Sequence, residues 1–326
     1  MRFGVLSTAK IGREHVIPAI QKTEHTVQAI GSRNIDRAEA VAAELDVPDA
    51  YGSYEAVLSA DDVDVVYNPL PNSMHAEWSK RAADHGLDVL CEKPLAADAA
   101  ETREVIEHCR DRGVTLMEAF MYRYHPRNER ARTLAREELT DVHHVSGTLK
   151  FSLDDPEDVR LDPDLAGGSL LDVGCYPVST ARWILGEPDR VYARSHDARD
   201  CGVDTRMSGT LEYDSGAVAQ FDCSFDTESI QRYRIEGRNG WIEAEREVAY
   251  NAPPERSTTL EYRIDGQHGV ETFEAVDQYR LEVEHFIECV RNRTTPRTGP
   301  QEALDNMRVL DALYSSADAG TPVDIE

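Results

Sequence analysis

The residues able to do chemistry fall in a few short stretches. Glu92-Lys93-Pro94 follows the apolar run Leu87–Cys91. Strand ends in parallel α/β sheets are where ligands bind. The chain holds five lysines against thirty arginines. An amine at such a strand end, in a chain that otherwise prefers Arg, points to a group that can change protonation, which a guanidinium cannot. A solvated lysine before a loop proline is the plainer alternative. The second stretch is Gly167-Gly168-Ser169-Leu170-Leu171-Asp172-Val173-Gly174-Cys175-Tyr176-Pro177. Ser169 reads as an N-cap. Asp172 and Tyr176, four apart, share one helix face. An Asp and a Pro in one apolar helix are locally unfavourable, and such violations tend to mark functional sites. An amphipathic helix with a solvated Asp is the bland reading.

Three further stretches read as a dinucleotide site. Ser7-Thr8-Ala9-Lys10-Ile11-Gly12 lies between the first strand and helix, where a phosphate-binding turn belongs, but only its last Gly is present. Ser7 and Ala9 are small enough for backbone approach to a pyrophosphate at the helix N-terminus. Gly31-Ser32-Arg33-Asn34 ends the second strand, with Arg37 following. An NAD site usually carries an acidic residue there. Ser32, Arg33 and Arg37 suit a 2′-phosphate instead, because Arg pairs bidentately with phosphate. NADP is therefore expected ahead of NAD. In Asn68–His75, Pro69 and Pro71 stiffen a loop that could wall a flat ring, and Ser73 reads as a helix cap. A plain connector is the alternative.

The elements positioning these residues divide in two. Residues 1–119 alternate strand and helix signals, which predicts βαβ units and a parallel Rossmann sheet. Helices are expected over Ile11–Thr23, Ile35–Leu45, Tyr54–Leu58, Met74–His85 and Ala97–Arg112. Residues 120–326 read as an α+β domain for substrate binding and oligomerisation. Its large open, mostly antiparallel sheet has turns at Asp214-Ser215-Gly216, Asn239-Gly240 and Asp265-Gly266. Helices are expected within Leu165–Leu185 and over Tyr279–Arg291 and Gln301–Ala319. The alternation in Val145–Leu153 and Val218–Phe225 suggests a second apolar face buried in a partner subunit.

Net charge is −26, from 61 acidic and 35 basic residues. Such a field repels nucleic acid and anionic membranes. No run approaches the roughly 20 apolar residues of a membrane span, and the first residues enter a strand, so no signal peptide is expected. Six scattered Cys without a Cys-x-x-Cys fit a reducing cytoplasm and no metal site.

Taken in order, Phe3–Gly12, Gly31–Arg33, Asn68–His75, Cys91–Leu95, Glu118–Pro126 and Gly167–Pro177 resemble the glucose–fructose oxidoreductase/inositol dehydrogenase (Gfo/Idh/MocA) family. The resemblance implies a Rossmann domain and an open-sheet domain, with assembly as a homodimer or homotetramer through that sheet. It implies that Lys93 is catalytic and that Lys93–Pro94 is cis. Asp172 and Tyr176 complete the implied catalytic set. Inositol dehydrogenases carry His where this chain has Tyr176, so the likeness is to the branch of aldose and D-xylose 1-dehydrogenases and dimeric dihydrodiol dehydrogenases, which usually uses NADP. Ser7, Thr8, Ala9, Lys10, Ile11, Ser32, Arg33, Arg37, Pro69, Pro71, Asn72, His75, Glu92 and Lys93 are the implied cofactor residues. Tyr122, Arg123, Phe151, Arg160, Asp172 and Tyr176 are the implied substrate residues. The expected activity is oxidation of a cyclic aldose at C1 to a lactone. Dihydrodiol dehydrogenase or 1,5-anhydrofructose reductase chemistry is the alternative, and a non-catalytic cofactor-binding regulator is the reading from another class.

The charge predicts a protein adapted to a salt-rich cytoplasm, since dissolved ions screen self-repulsion. Thermal melts across a KCl series are expected to show stability rising into the multimolar range. Equal stability at low and high salt would contradict this.

Overall fold

The computed structural model describes residues 1–325. Its contacts separate two compact units. The first comprises Met1–Met121 and Gln278–Leu304; the second begins at Tyr122 and resumes at Asp305. The expected domains, 1–119 and 120–326, divide the chain once, whereas these units also exchange it at Gln278 and Asp305.

The first unit holds strands β1 (Arg2–Val5), β2 (Thr26–Gly31), β3 (Asp49–Tyr51), β4 (Val65–Asn68), β5 (Asp88–Glu92) and β6 (Leu116–Ala119). Their order is β3-β2-β1-β4-β5-β6, and every pair is parallel. Strand order reverses between β1 and β4, so the crevice at their carboxyl ends is the topological switch point where such sheets bind ligands. Phe3, Val5, Val65, Val66, Val89 and Leu90 are fully buried, as expected for strands covered on both faces. Helices α1 (Ile17–Gln21), α2 (Ile35–Glu44), α3 (Tyr54–Leu58), α4 (Asn72–Asp84) and α5 (Ala99–Arg112) make the crossovers.

Two local expectations need correction here. The helix expected over Ile11–Thr23 contains a π-type turn at Gly12–Val16 before α1. Ser73 does not cap α4. That helix starts at Asn72, directly after Pro71, with no side-chain cap; the fixed φ of proline starts it instead.

The second unit opens with α6 (Pro126–Glu137) and contains α7 (Cys175–Leu185). Its strands are β7 (Val142–Ser152), β8 (Arg190–His196), β9 (Arg206–Glu212), β10 (Val218–Ser224), β11 (Asp226–Gly237), β12 (Gly240–Ala244), β13 (Thr258–Ile264), β14 (Gln267–Phe273) and β15 (Val323–Asp324). They form one sheet in the order β14-β13-β12-β11-β7-β10-β9-β8-β15. Only β7 and β10 run parallel; the other pairs are antiparallel. Helices α8 (Gln278–Asn292) and α9 (Pro300–Ala319) end the chain's helical part, α8 belonging to the first unit.

Over β7 and β10 the alternation has a single buried apolar side. Val145 and Leu149 of β7 and Ala219, Phe221 and Cys223 of β10 are all buried on one side. The alternate residues, Val218 apart, are polar: Ser146, Thr148, Lys150, Gln220 and Asp222, with Lys150 and Asp222 ion-paired. The apolar alternation is satisfied within the chain and carries no argument for a partner.

Helix α7 lies against β7 at Gly147. A Cβ there would stand 2.5 Å from Pro177 Cβ and 2.8 Å from the Tyr250 hydroxyl. Neither neighbour yields cheaply, since Pro177 is part of a rigid ring and Tyr250 is fully buried. Gly147→Ala is expected to cost about 1–3 kcal/mol by overpacking. A melting temperature equal to that of the unsubstituted protein would show that α7 does not approach this strand so closely.

Candidate active site

In the first unit, the turn after β1 is tied to the loop after β4. The Ser7 hydroxyl donates to Pro69 O at 3.2 Å and accepts Ala9 N–H at 3.1 Å. Ser7 and Thr8 are buried, whereas Lys10 is exposed and pairs with Glu14 at 3.8 Å. Ile11 leads into the π turn, a feature common at functional sites. At the end of β2, buried Ser32 accepts Asn34 N–H at 3.2 Å. Asn34 caps α2 by accepting Arg37 N–H at 3.1 Å. Arg33 and Arg37 are exposed. Among the described residues neither guanidinium meets a carboxylate. Two unpaired cations beside a helix N-terminus, in a chain this acidic, fit a phosphate group.

The turn after β5 is braced from several directions. Glu92 accepts the Tyr67 hydroxyl at 2.6 Å. Burial, with the Glu92 charge second, raises the Tyr67 phenol well above its ordinary range, so it stays a donor. The Lys93–Pro94 bond is cis, as the resemblance implied. Buried Glu118, on the neighbouring β6, accepts Leu95 N–H at 2.9 Å. His75 lies between two loops, with Nδ1 2.7 Å from Pro94 O and Nε2 2.6 Å from Leu70 O. Burial pushes its pKa down to about 4, opposed by the two carbonyls and aided by the Lys93 charge. Both ring nitrogens thus face main-chain oxygens, and the ring braces the loops that follow β4 and β5. Asn68 supports the same loop through His75 O and Ser79 Oγ, both at 3.2 Å. Pro69 is buried, while Pro71, Asn72, Glu92 and Lys93 are half-buried.

In the second unit, a π-type turn at Leu170–Gly174 runs into α7 and carries Asp172. Arg160 Nε donates to Asp172 Oδ2 at 2.8 Å, and Nη1 lies 3.3 Å from Asp158 Oδ2. The Asp172 charge raises the Arg160 pKa above its usual value. The Arg160 guanidinium also lies 6.0 Å from the Phe151 ring centre. The implied pair Asp172 and Arg160 is therefore brought together, with Phe151 beside it. Tyr176 is buried among aromatic rings, its centre 5.6 Å from Tyr122 and 5.7 Å from Tyr250. Tyr122 and Arg123 both donate to Ser179 Oγ, at 2.9 and 3.1 Å, and Arg123 lies over Trp183 at 4.2 Å. Tyr122 and Arg123 thus sit inside the packing around Tyr176. Ser169 makes no side-chain cap; its hydroxyl donates instead to Asp204 at 2.6 Å.

Sequence reasoning gave Glu118 no role beyond heading the Glu118–Pro126 stretch, and it missed Tyr250 and Asp204. The latter two are single residues brought to their place by tertiary structure, with no local spacing to mark them. Among the described residues no group of three or more His, Cys, Asp or Glu side chains could hold a metal ion.

A doubly wound sheet with these loops at its switch point defines a dinucleotide-binding oxidoreductase. Residues 1–120 match the profile described as "Oxidoreductase family, NAD-binding Rossmann fold", and residues 129–243 match the "GFO/IDH/MocA C-terminal domain". The chain belongs to the Gfo/Idh/MocA family. It is 54% identical to "D-xylose 1-dehydrogenase (NADP(+)) 2" of Haloferax volcanii, covering 100% of both chains. Among solved structures, a 3-ketoreductase from Actinomadura kijaniata in complex with NADP and TDP-benzene superposes with a TM-score of 0.91 at 28% identity, over 97% of each chain. An aldose–aldose oxidoreductase from Caulobacter crescentus, complexed with glycerol, gives a TM-score of 0.91 at 27% identity, covering 100% of this chain and 99% of that one.

Arg33→Ala is expected to weaken NADP+ binding by roughly ten- to a hundredfold, the loss of one charge-assisted contact, and to leave NAD+ binding nearly unchanged. Fluorescence titration with both cofactors reads this. Equal losses for the two would show that Arg33 does not touch the 2′-phosphate.

Proposed function

We propose that this chain oxidises D-xylose, as its cyclic form, at C1 to the lactone, with NADP+ as hydride acceptor. The observation that carries this reading is the full-length 54% identity to the Haloferax volcanii D-xylose 1-dehydrogenase. Lys93, Asp172 and Tyr176 support it, because alcohol oxidation needs an acid–base group and a means of holding the sugar. NADP+, when bound, supplies the carbon that receives the hydride from C1. Backbone groups of Ser7–Ile11 would face its pyrophosphate. Ser32, Arg33 and Arg37 would hold its 2′-phosphate. Pro69, Pro71 and Asn72 would form a stiff wall for its ring.

At C1 the C–H bond breaks with its electron pair, the O–H bond gives up a proton, and a carbonyl forms. A phenol ordinarily ionises near pH 10, too high for an unaided base at neutral pH. A nearby positive charge favours the phenolate. In this reading Lys93 supplies that cation and Tyr176 the phenol. In this reading the proton is assigned to Lys93 and Tyr176 together rather than to either residue. Asp172, paired with Arg160, accepts hydrogen bonds from sugar hydroxyls. Tyr122, Arg123 and Phe151 shape the substrate side. The −26 charge supports a salt-rich cytoplasm as the place of action. Among the described residues no helix is long and apolar enough to cross a membrane. Homodimer or homotetramer assembly through the open, polar face of the large sheet belongs to the same reading.

Tyr176→Phe and Lys93→Met are each expected to lower kcat by roughly 10²–10⁴, with NADP+ binding retained. The double substitution should lose much less than the product of the two, as residues serving one step do. Assays with D-xylose and NADP+ in multimolar KCl, following absorbance of the reduced cofactor, read both. Near-normal turnover by Tyr176→Phe would place the proton route elsewhere.

A further inference from the structure

Asp204 is buried in the second unit without a cation. It is 8% exposed, and among the described residues it makes no ion pair. All its partners are donors. Oδ2 accepts the Ser169 hydroxyl at 2.6 Å and Leu170 N–H at 2.9 Å. Oδ1 accepts the hydroxyl of Tyr314, on α9, at 2.8 Å. Its main-chain oxygen accepts Ser169 N–H at 2.7 Å. Gly168 makes this approach possible. Its φ is +118°, and a Cβ there would lie 2.4 Å from Asp204 Oδ1. Burial raises the Asp204 pKa, opposed by the donors from Ser169, Tyr314 and Leu170.

Burying a carboxylate is costly unless donors surround it. An ionised carboxylate is acceptor-only, so it can satisfy three converging donors at once. Two of them belong to the start of one short segment. That segment winds as a π turn, an uncommon winding that appears mostly as single turns. Its nominal N-cap, Ser169, provides no side-chain cap. Leu170 N–H is one of the orphan donors at a helix start, and a residue distant in sequence satisfies it. Asp172 stands two residues beyond this anchor and Tyr176 six.

We propose that Asp204 is a positioning residue, a tertiary N-cap that fixes the segment carrying Asp172 and Tyr176 relative to α9 and β9. This rests on the assignment of Asp172 and Tyr176 as the substrate-side groups. Ser169 and Tyr314 are the hydroxyls through which the carboxylate grips the segment and the helix behind it. A small displacement of reacting groups costs rate out of proportion to its size, so the anchor acts on turnover rather than on cofactor affinity.

The test uses the whole protein in multimolar KCl, with Asp204→Asn, Asp204→Ala and Tyr314→Phe. An Asn keeps an oxygen for Ser169 and Leu170, and its amide N–H can be accepted by the Tyr314 oxygen. Asp204→Asn is expected to retain kcat within about threefold, the effect of roughly one modest hydrogen bond. Asp204→Ala is expected to lower kcat roughly ten- to a hundredfold and raise KM for D-xylose, with the NADP+ dissociation constant unchanged. Hydrogen exchange over residues 169–176 should speed up in the Ala variant and not in the Asn variant. Unchanged exchange, or an Ala variant with normal kcat and KM, overturns the proposal. So does a kcat loss matched by an equal loss of NADP+ affinity, which marks a general structural role. If the Ala variant does not fold, Tyr314→Phe decides. A several-fold fall in kcat with intact NADP+ binding supports the anchor, and normal kcat overturns it. An unsubstituted protein that fails to oxidise D-xylose contradicts the proposed function alone, since exchange over 169–176 still reads the anchor.

Discussion

The hydrogen bond from Leu95 N–H to the buried Glu118 carboxylate, 2.9 Å long, holds the turn on which the first unit converges. It spans neighbouring strands, since β5 and β6 pair Glu92 with Ala119. On one side of it, Lys93 and Pro94 leave the sheet. His75 and Tyr67 brace the same turn through Pro94 O and the Glu92 carboxylate. On the other side, β6 is an edge strand, and Thr298 covers its end. Glu118 N–H donates to Thr298 O at 2.9 Å, and the Thr298 hydroxyl donates to Glu118 O at 2.7 Å. The return of residues 278–304 to the first unit thus closes an exposed ladder and fixes the strand that bears Glu118. Glu282 of α8 is also buried, and burial followed by the charges of Glu92 and Glu118 raises its pKa well above the carboxylate range.

Each unit winds a π turn beside a candidate site segment: Gly12–Val16 directly follows Ser7–Ile11, and Leu170–Gly174 contains Asp172 and runs into α7. Before the first, the Ser7 hydroxyl ties the preceding loop to Pro69 O; at the second, Asp204 accepts from Ser169 and Leu170. Irregular winding that side chains outside it stabilise is a sign that geometry there is specified by more than helix propensity.

Much of this was legible in the chain. The parallel sheet followed from the alternating strand and helix signals of residues 1–119, where local pattern and tertiary burial agree. The Glu-Lys-Pro turn followed from its place after such a run. What was not legible depends on tertiary closure. Helix α6 was hidden because Arg127 and Asn128 stand in its buried face, where periodicity expects apolar residues. Arg127 Nη2 is satisfied there by Val248 O and Ala249 O, partners more than a hundred residues away. Three-residue β3 is too short to show a period. Ser73 and Ser169 looked like caps by type, but a rigid proline and a distant carboxylate do that work. The second unit's alternation was real, and α7 and the π turn cover its apolar side within the chain.

The central claim is that hydride leaves C1 of a cyclic aldose for NADP+. D-xylose deuterated at C1, incubated with the protein and NADP+ in multimolar KCl and followed by NMR, tests it most directly. The account predicts deuterium at C4 of the reduced nicotinamide and a lactone carbonyl at C1 of the sugar. Reduced cofactor without deuterium, or a carbonyl at another ring carbon, would contradict it.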